Sequence, residues 1–440
     1  MTQTHAHTEW PPTKQAWLVT GLLLLAYILS FIDRQILNLL APAIQADLNM
    51  SDVEMSLLQG PAFAATYILL SVPLGQMTDT LNRTKLLAAG LGFWTLATMA
   101  CGFSRSFWPL AISRAGVGLG EATLTPTAWS ILADSFPPHK RSTPVSIYLT
   151  GPYVGGGLAL ILGGQLLGWF DGPSNFMGMT FQPWQLCFIL IASPGILLAI
   201  AMAAAPEPKR ILAQDEKPET ATMSAFGGLL RGQWRIYAGL WLGAGQIAVI
   251  LYGLQAWTPT LLTRVHGWTI GEAGLYYGLT ALIAGSIGVL NGPIIHRWLM
   301  DRTGKDYSLY IGFVCGILLA VTSPLILYVD GVALLLAIGL LSYLVTTPMT
   351  LMTTTLQLVT PNLFRGRASG VHVVATNLLG LGFGPTYVAW LTERVFADSM
   401  AVGHSMMAQS ITFGLGAAIC YLIGAKPVME LAARQTAPQP

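Results

Sequence analysis

The sequence predicts an all-α membrane protein with twelve transmembrane helices in two six-helix pseudo-symmetric halves. Three observations predict it: an apolar composition, apolar runs of spanning length parted by short polar breaks, and a loop pattern that recurs once. Of 440 residues, 53% are hydrophobic and 10% are charged, whereas a soluble chain carries about 25% charge. Water is therefore not the main solvent of this chain.

The apolar runs fall near 16–40, 53–76, 84–103, 107–133, 142–168 and 184–205, then 233–262, 270–299, 307–328, 331–358, 366–391 and 402–425. Each is long enough to cross the hydrocarbon core at about 1.5 Å per residue. The first run contains Asp33 and Arg34, and no basic segment followed by a small-residue cleavage site precedes it. It reads as a retained helix rather than a signal peptide.

One long polar stretch, 206–231, carries Pro206, Pro208 and Pro218 with charges of both signs. It reads as a cytoplasmic linker between an N-terminal bundle at 1–205 and a C-terminal bundle at 232–440. Lys and Arg placement orients the spans. Arg83, Lys85, Lys140, Arg141, Arg302, Lys305, Arg365 and Arg367 are among the many cations on one side, and only Arg105, Arg264 and Arg394 fall on the other. Both termini are then expected in the cytoplasm.

The recurring loop follows the second and eighth spans. Gly75-Gln-Met-Thr-Asp79 leads to Arg83 and Lys85, and Arg297-Trp-Leu-Met-Asp301-Arg302-Thr-Gly304 leads to Lys305. After the fourth and tenth spans, Pro137-Pro-His-Lys-Arg141 is answered by Pro361-Asn-Leu-Phe-Arg365 at nearly the same offset. Duplicated halves place a transport site where the halves meet, near the bilayer midplane.

Four charges sit well inside spans: Asp33 and Arg34 in the first, Arg114 and Glu121 in the fourth. A charge at the bilayer centre costs about 2.5–3.5 kcal/mol on insertion scales, so such residues mark pathways or structural ion pairs. Arg114 and Glu121 are two turns apart and share a helix face, with glycines between them that admit a close neighbour. Asp33 and Arg34 point about 100° apart. The preferred pairing is Arg34 with Glu121: a proton on Glu121 frees the arginine for an anionic solute. The alternative is a neutral quartet locking the first span to the fourth.

The second half lacks such charges. It offers Gln246, Tyr252, Gln255 and Trp257 on the seventh span, Thr353 in the threonine cluster of the tenth, and His372 and Asn377 on the eleventh. With Arg34, Asn38 and Tyr153 of the first half, these are the candidate solute contacts. The alternative is that their hydroxyls and amides bond their own backbone or neighbouring helices.

These motifs resemble the major facilitator superfamily over essentially the whole chain. Gly75, Asp79, Arg83, Asp301, Arg302 and Gly304 match its cytoplasmic gating motif, although Thr80 stands where an arginine is usual and Arg297 where a glycine is usual. Phe31-Ile-Asp33-Arg34-Gln35, Arg114-Ala-Gly116-Val-Gly118-Leu-Gly120-Glu121 and the run from Asp134 to Arg141 resemble the bacterial spinster-like branch. Gly151-Pro152-Tyr153 resembles the fifth-helix motif of proton-driven antiporters. The resemblance implies the major facilitator fold, gating by these loops and by Gly151 and Pro152, and proton coupling through Asp33 and Glu121 with Arg34 and Arg114. It also implies a lipid-like or amphiphilic cargo, while related branches move small organic acids.

Other classes are disfavoured. A net charge of +2 gives no basic surface for nucleic acid. Cys101, Cys187, Cys315 and Cys420 lie in apolar runs without metal or disulfide spacing, and no nucleotide-binding or zinc-protease motif occurs. No cofactor and no enzymatic activity are expected. The expected function is a proton-coupled secondary transporter of an organic solute, a monomer in the inner membrane. The rivals are a multidrug efflux antiporter, a sugar-acid or aromatic-acid symporter, and a membrane receptor or scaffold.

Overall fold

The structure, a computed structural model, describes residues 10–137, 140–170, 172–176, 178–210, 223–361 and 364–436, without the side chains at 72, 79, 142, 176 and 434–436. It is helical almost throughout. In chain order the helices are α1 (Thr13–Leu48), α2 (Asp52–Gln59), α3 (Pro61–Thr80), α4 (Arg83–Cys101), α5 (Phe107–Glu121), α6 (Leu124–Ser135), α7 (Ser142–Tyr148), α8 (Gly151–Gly168), α9 (Pro183–Ala192) and α10 (Pro194–Ala204). There follow α11 (Met223–Gly232), α12 (Trp234–Thr260), α13 (Ile270–Glu272), α14 (Gly278–Thr303), α15 (Ser308–Thr322), α16 (Leu325–Tyr328), α17 (Gly331–Val359), α18 (Arg365–Ala375), α19 (Gly382–Trp390) and α20 (Val402–Thr436).

Joined across their breaks, these elements make the twelve expected runs. Ten are each long and apolar enough, by length and composition, to cross a membrane. The other two, 107–135 and 365–395, are interrupted: the first by a turn at Ala122 and Thr123, the second by π-helical segments. The expected ends agree with the observed ones within a few residues at most, except where α1 and α20 run on to Leu48 and Thr436.

Local chemistry sets the breaks. Ser51 caps α2 in a reciprocal capping box with Glu54, satisfying two orphan N–H groups. At Gly60 the chain passes so close to the Leu381 carbonyl oxygen that a Cβ would collide with it, and Pro61 then starts α3 where its missing N–H costs nothing. Asn82 caps α4 by accepting from Lys85 N. Gly304 ends α14 in the left-handed region at φ 68°, where glycine carries no Cβ penalty.

Four π-helical segments are present among the described residues: π1 (Leu261–Val265), π2 (Ala273–Tyr277), π3 (Thr376–Leu381) and π4 (Leu391–Val395). None was expected. A small antiparallel hairpin, β1 (Ser174–Phe176) with β2 (Met179–Phe181), pairs Asn175 with Thr180 between α8 and α9.

The chain forms two compact units. The first comprises 1–34, 65–156 and 172–217, and the second comprises 35–64, 157–171 and 218–440. Their boundaries cut through α1, α3 and α8 as well as the 206–231 stretch. The middle of that stretch, 211–222, lies outside the described residues; its end is helix α11, whose Phe226 is buried against the Phe364 ring, 5.6 Å away.

In the first unit α4 packs on α5, α9 and α10. Gly120 makes the α4–α5 contact possible: a Cβ there would lie 2.6 Å from Trp94 Cβ. In the second unit α20 packs against α12 and α15, and α14 against α17.

Candidate functional site

The candidate site in the first unit is built on the face of α1 that carries Ser30 and Arg34, one helical turn apart. Glu121, the last residue of α5, meets both. Arg34 donates to Glu121 Oε2 from Nε at 2.9 Å and from Nη2 at 2.5 Å, and Ser30 Oγ donates to the same oxygen at 2.6 Å. Glu121 Oε1 is buried without a hydrogen-bond partner. The Glu121 side chain is 0% exposed and that of Arg34 is 14% exposed, so the arginine is the more exposed of the two. The pairing expected from the sequence is therefore formed, with one oxygen of the carboxylate taking every donor.

The aromatic surroundings hold the guanidinium. Its Cζ lies 4.9 Å from the Phe31 ring centroid and 5.4 Å from that of Tyr67, at cation–π range. Tyr27 stacks on Tyr148 at 4.5 Å. Gly151 and Gly155 bring α8 onto this stretch of α1: a Cβ on Gly151 would press on the Tyr27 ring, and one on Gly155 would strike the Ile28 carbonyl.

Asp33, on the next face of α1, is 0% exposed. Both its carboxylate oxygens are buried without hydrogen bonds. Its charged neighbours are Glu121, Arg114 and Arg34. Arg114, 1% exposed, donates from Nη1 to the Asp33 backbone carbonyl at 3.2 Å. Two acids and two arginines thus share one buried region.

Arg83, the expected gating cation, is buried at the N-terminus of α4. It donates to Asp134, to Ser130 Oγ at 2.9 Å, to Glu207 Oε1 at 3.0 Å and to the Pro208 carbonyl at 2.6 Å. A Cβ on Gly75 would meet Pro126 Cβ at ordinary contact distance, 3.7 Å, and the Asp79 side chain lies outside the described residues. In the second copy of the loop, Asp301 and Arg302 are exposed, Arg302 lying 4.1 Å over the Trp298 ring. The buried acid there is Asp306, which accepts from Ser308 N at 2.8 Å and is bonded to His296 Nε2 at 3.0 Å. Burial alone would raise its carboxyl; the bonds from His296 and Ser308 outweigh that and hold it below the ordinary value.

The expected solute contacts of the second unit are largely occupied within the protein. Trp257 is fully buried and its Nε1 donates to the Pro385 carbonyl at 2.9 Å. Gln246 turns to α20, bonding Cys420 Sγ at 3.2 Å. Asn38 donates to Gln35 Oε1 at 2.9 Å, and Asn377 to the Val373 carbonyl of its own helix at 2.9 Å. Thr353 bonds Met349 O at 3.0 Å and faces His372 Nε2 at 3.4 Å, while His372 Nδ1 is buried without a partner. Tyr252 and Gln255 are half-buried, as is Tyr153 in the first unit, where Pro152 stands beside it in the first turn of α8.

Sequence reasoning missed three groups. Ser30 was findable from its one-turn spacing to Arg34. Asp134 and Glu207, the partners of Arg83, lie far away in the chain and carry no periodic signal. Arg264 is the third: from π1 it clamps Asp52 with two bonds of 2.7 and 2.8 Å and reaches Gln45 at 3.2 Å. Glu393 of π4 accepts from Val53 N at 2.9 Å, next to that pair. A cavity of about 670 Å³ lies over the cluster.

A family model described as Major Facilitator Superfamily matches residues 23–385. An MFS-type efflux pump of Mycolicibacterium smegmatis is 28% identical over 95% of this chain and 94% of its own length. Protein spinster homolog 1 of Xenopus laevis is 24% identical over 93% of this chain and 79% of its own. Among solved structures, a bacterial homolog of the human lysosomal transporter spinster, inward-facing and unoccupied, superposes with a TM-score of 0.76. It is 24% identical, covering 98% of this chain and all of that one.

Proposed function

Because the chain belongs to the Major Facilitator Superfamily, we propose that it is a proton-coupled secondary transporter that moves an organic solute across the cytoplasmic membrane by alternating access. It is a multi-pass membrane protein of spinster-like kind and not an enzyme. The observation that carries the reading is the buried Ser30–Arg34–Glu121 cluster, whose one partly exposed member is the arginine. A proton on Glu121 removes the charge that holds Arg34, weakening two charge-assisted bonds. The guanidinium is then free for an anionic group of the solute. Loss of the proton restores the pair and expels that group. Asp33 is the second proton site of the relay, and Arg114, bonded to the Asp33 backbone carbonyl, keeps its positive charge beside both acids.

In this reading the working halves are 1–205 and 232–440, rocking about the linker of a monomer with both ends in the cytoplasm. The loops at Arg83 and Asp301 gate the inner side, and Gly151 and Pro152 give α8 its freedom to bend. The solute is a lipid-like amphiphile or an organic anion. Relatives named "Probable galactarate/D-glucarate transporter", in Bacillus subtilis, and "Gallate transporter", in Pseudomonas putida, are each 25% identical, and they support the anion. A second reading, efflux antiport, is favoured by the Mycolicibacterium smegmatis pump, which matches over nearly the full length.

The test is proton movement in proteoliposomes holding a trapped pH dye, with lysolipids, sugar acids, aromatic acids and cationic drugs added in turn. Wild type should respond to one class and Glu121→Gln should not, with the variant folded. A full proton signal in Glu121→Gln would remove Glu121 from coupling.

A further inference from the structure

We infer that Ser30 is a positioning residue that sets the pH at which Glu121 takes up its proton; the inference rests on the proposed role of Glu121.

A serine or threonine inside a membrane helix ordinarily spends its hydroxyl hydrogen on its own backbone one turn back. Thr20, on the same helix, does so, donating to the Ala16 carbonyl at 2.8 Å. Ser30 does not. Its hydroxyl, 0% exposed, crosses to Glu121 Oε2 at 2.6 Å. That oxygen also takes both bonds from Arg34, while Oε1 has none and is enclosed.

The asymmetry has a chemical meaning. A proton can settle on Oε1 without displacing any donor. The Ser30 and Arg34 donors converge on Oε2, and a donated hydrogen bond favours the carboxylate over the acid. When the acid forms and Arg34 departs, the short Ser30 side chain cannot leave with it. Ser30 therefore keeps Oε2 in register and holds the carboxyl for the next cycle. Arg34 supplies the switchable bond and Ser30 the fixed one. The other ionisable groups facing this site are Asp33 on α1, Tyr67 on α3, Cys101 on α4, Arg114 on α5 and Tyr148 on α7.

Dicyclohexylcarbodiimide adds to protonated carboxyls, so labelling of Glu121 against pH reads its proton occupancy without knowledge of the solute. The full-length protein in nanodiscs is labelled across pH, and peptide mass spectrometry separates Glu121 from Asp33, with Glu121→Gln as the blank. A hydrogen bond to a charged group corresponds to about one pH unit or more. Ser30→Ala should therefore move the half-labelling pH of Glu121 about one unit to the alkaline side. Ser30→Thr should restore it, and Ser30→Cys, of similar volume and weaker donor strength, should fall between. An unchanged midpoint in Ser30→Ala and Ser30→Cys would overturn the inference, as would a Ser30→Thr midpoint displaced as far as that of Ser30→Ala. The readout is independent of transport. A full proton signal in Glu121→Gln would withdraw the proposed role of Glu121 and leave the measured midpoint standing.

Discussion

Replacing Arg83 with alanine tests how the junction between α3 and α4 is held. The side chain is 1% exposed, and the acids it joins, Asp134 and Glu207, are 14% and 21% exposed. Removing one partner of a buried ion pair costs about 3–5 kcal/mol, because the other charge is left buried and unpaired. Partial exposure of both acids lets water take up some of that charge, which puts the expectation at the low end, about 3 kcal/mol. The Pro208 carbonyl and the Ser130 hydroxyl lose their donor as well.

If the contacts are absent from the unfolding transition state, 3 kcal/mol shortens the half-life at fixed temperature about 100-fold. The assay uses the protein's own thiols. Cys101, Cys187 and Cys315 are buried and Cys420 partly so, so a thiol-reactive fluorogenic dye reports unfolding in detergent. Arg83→Lys should recover less than half of the loss, since an ammonium cannot present the planar fork. Arg83→Ala combined with Glu207→Gln should be less damaging than the sum of the two single changes. A half-life for Arg83→Ala within twofold of wild type, or strict additivity in the double variant, would refute the assignment.

Trp257→Phe keeps one aromatic ring but removes the Nε1 donor to the Pro385 carbonyl and leaves a gap in a fully buried site, and should cost at least about 1–3 kcal/mol by the same thermal assay; a neutral result would mean that neither the bond nor the packing contributes. Asp306 tests the pH dependence of the second loop. Its folded value lies below the unfolded one, so its contribution is full above the ordinary carboxylate range and drains away as the pH falls through the depressed value. The stability gap between wild type and Asp306→Asn should be constant near neutrality and close in acid. A gap that widens in acid would reverse the sign of the linkage.

The spans were legible because their signal is one-dimensional: twenty apolar residues in a row need no partner to be recognised. Even the interrupted runs at 107–135 and 365–395 appeared as single spans, since a local turn or π segment does not alter composition. The Arg34–Glu121 pair was legible for a similar reason. Charges are so costly in hydrocarbon that few exist, and few candidates leave few pairings. Arg83 was recognised as a motif residue, yet its partners were not, because a polar loop end offers many acids and nothing in the spacing singles out Glu207. Trp257, Gln246, Asn38 and Asn377 carry the same polar groups whether they bind solute or staple helices. Only their hydrogen-bond partners tell them apart: Trp257 and Gln246 reach other helices at Pro385 and Cys420, whereas Asn38 and Asn377 bond Gln35 and Val373 one turn back. The loop 222 residues or so further on from Asp79 shows the limit of repeat reasoning: Asp301 is in place, but the buried acid is Asp306, tied to a histidine rather than an arginine.

The π segments bear on how the second half can be compared with anything else. Each widened turn holds one residue more than the α-helix around it, so everything beyond it is rotated by about 100° relative to an unbroken helix. Along 365–395 this happens twice, at 376–381 and again at 391–395. A helical wheel drawn straight through either place assigns the wrong face to the residues that follow. Sequence comparisons there should admit a one-residue gap in mid-helix, a position where alignments conventionally forbid one.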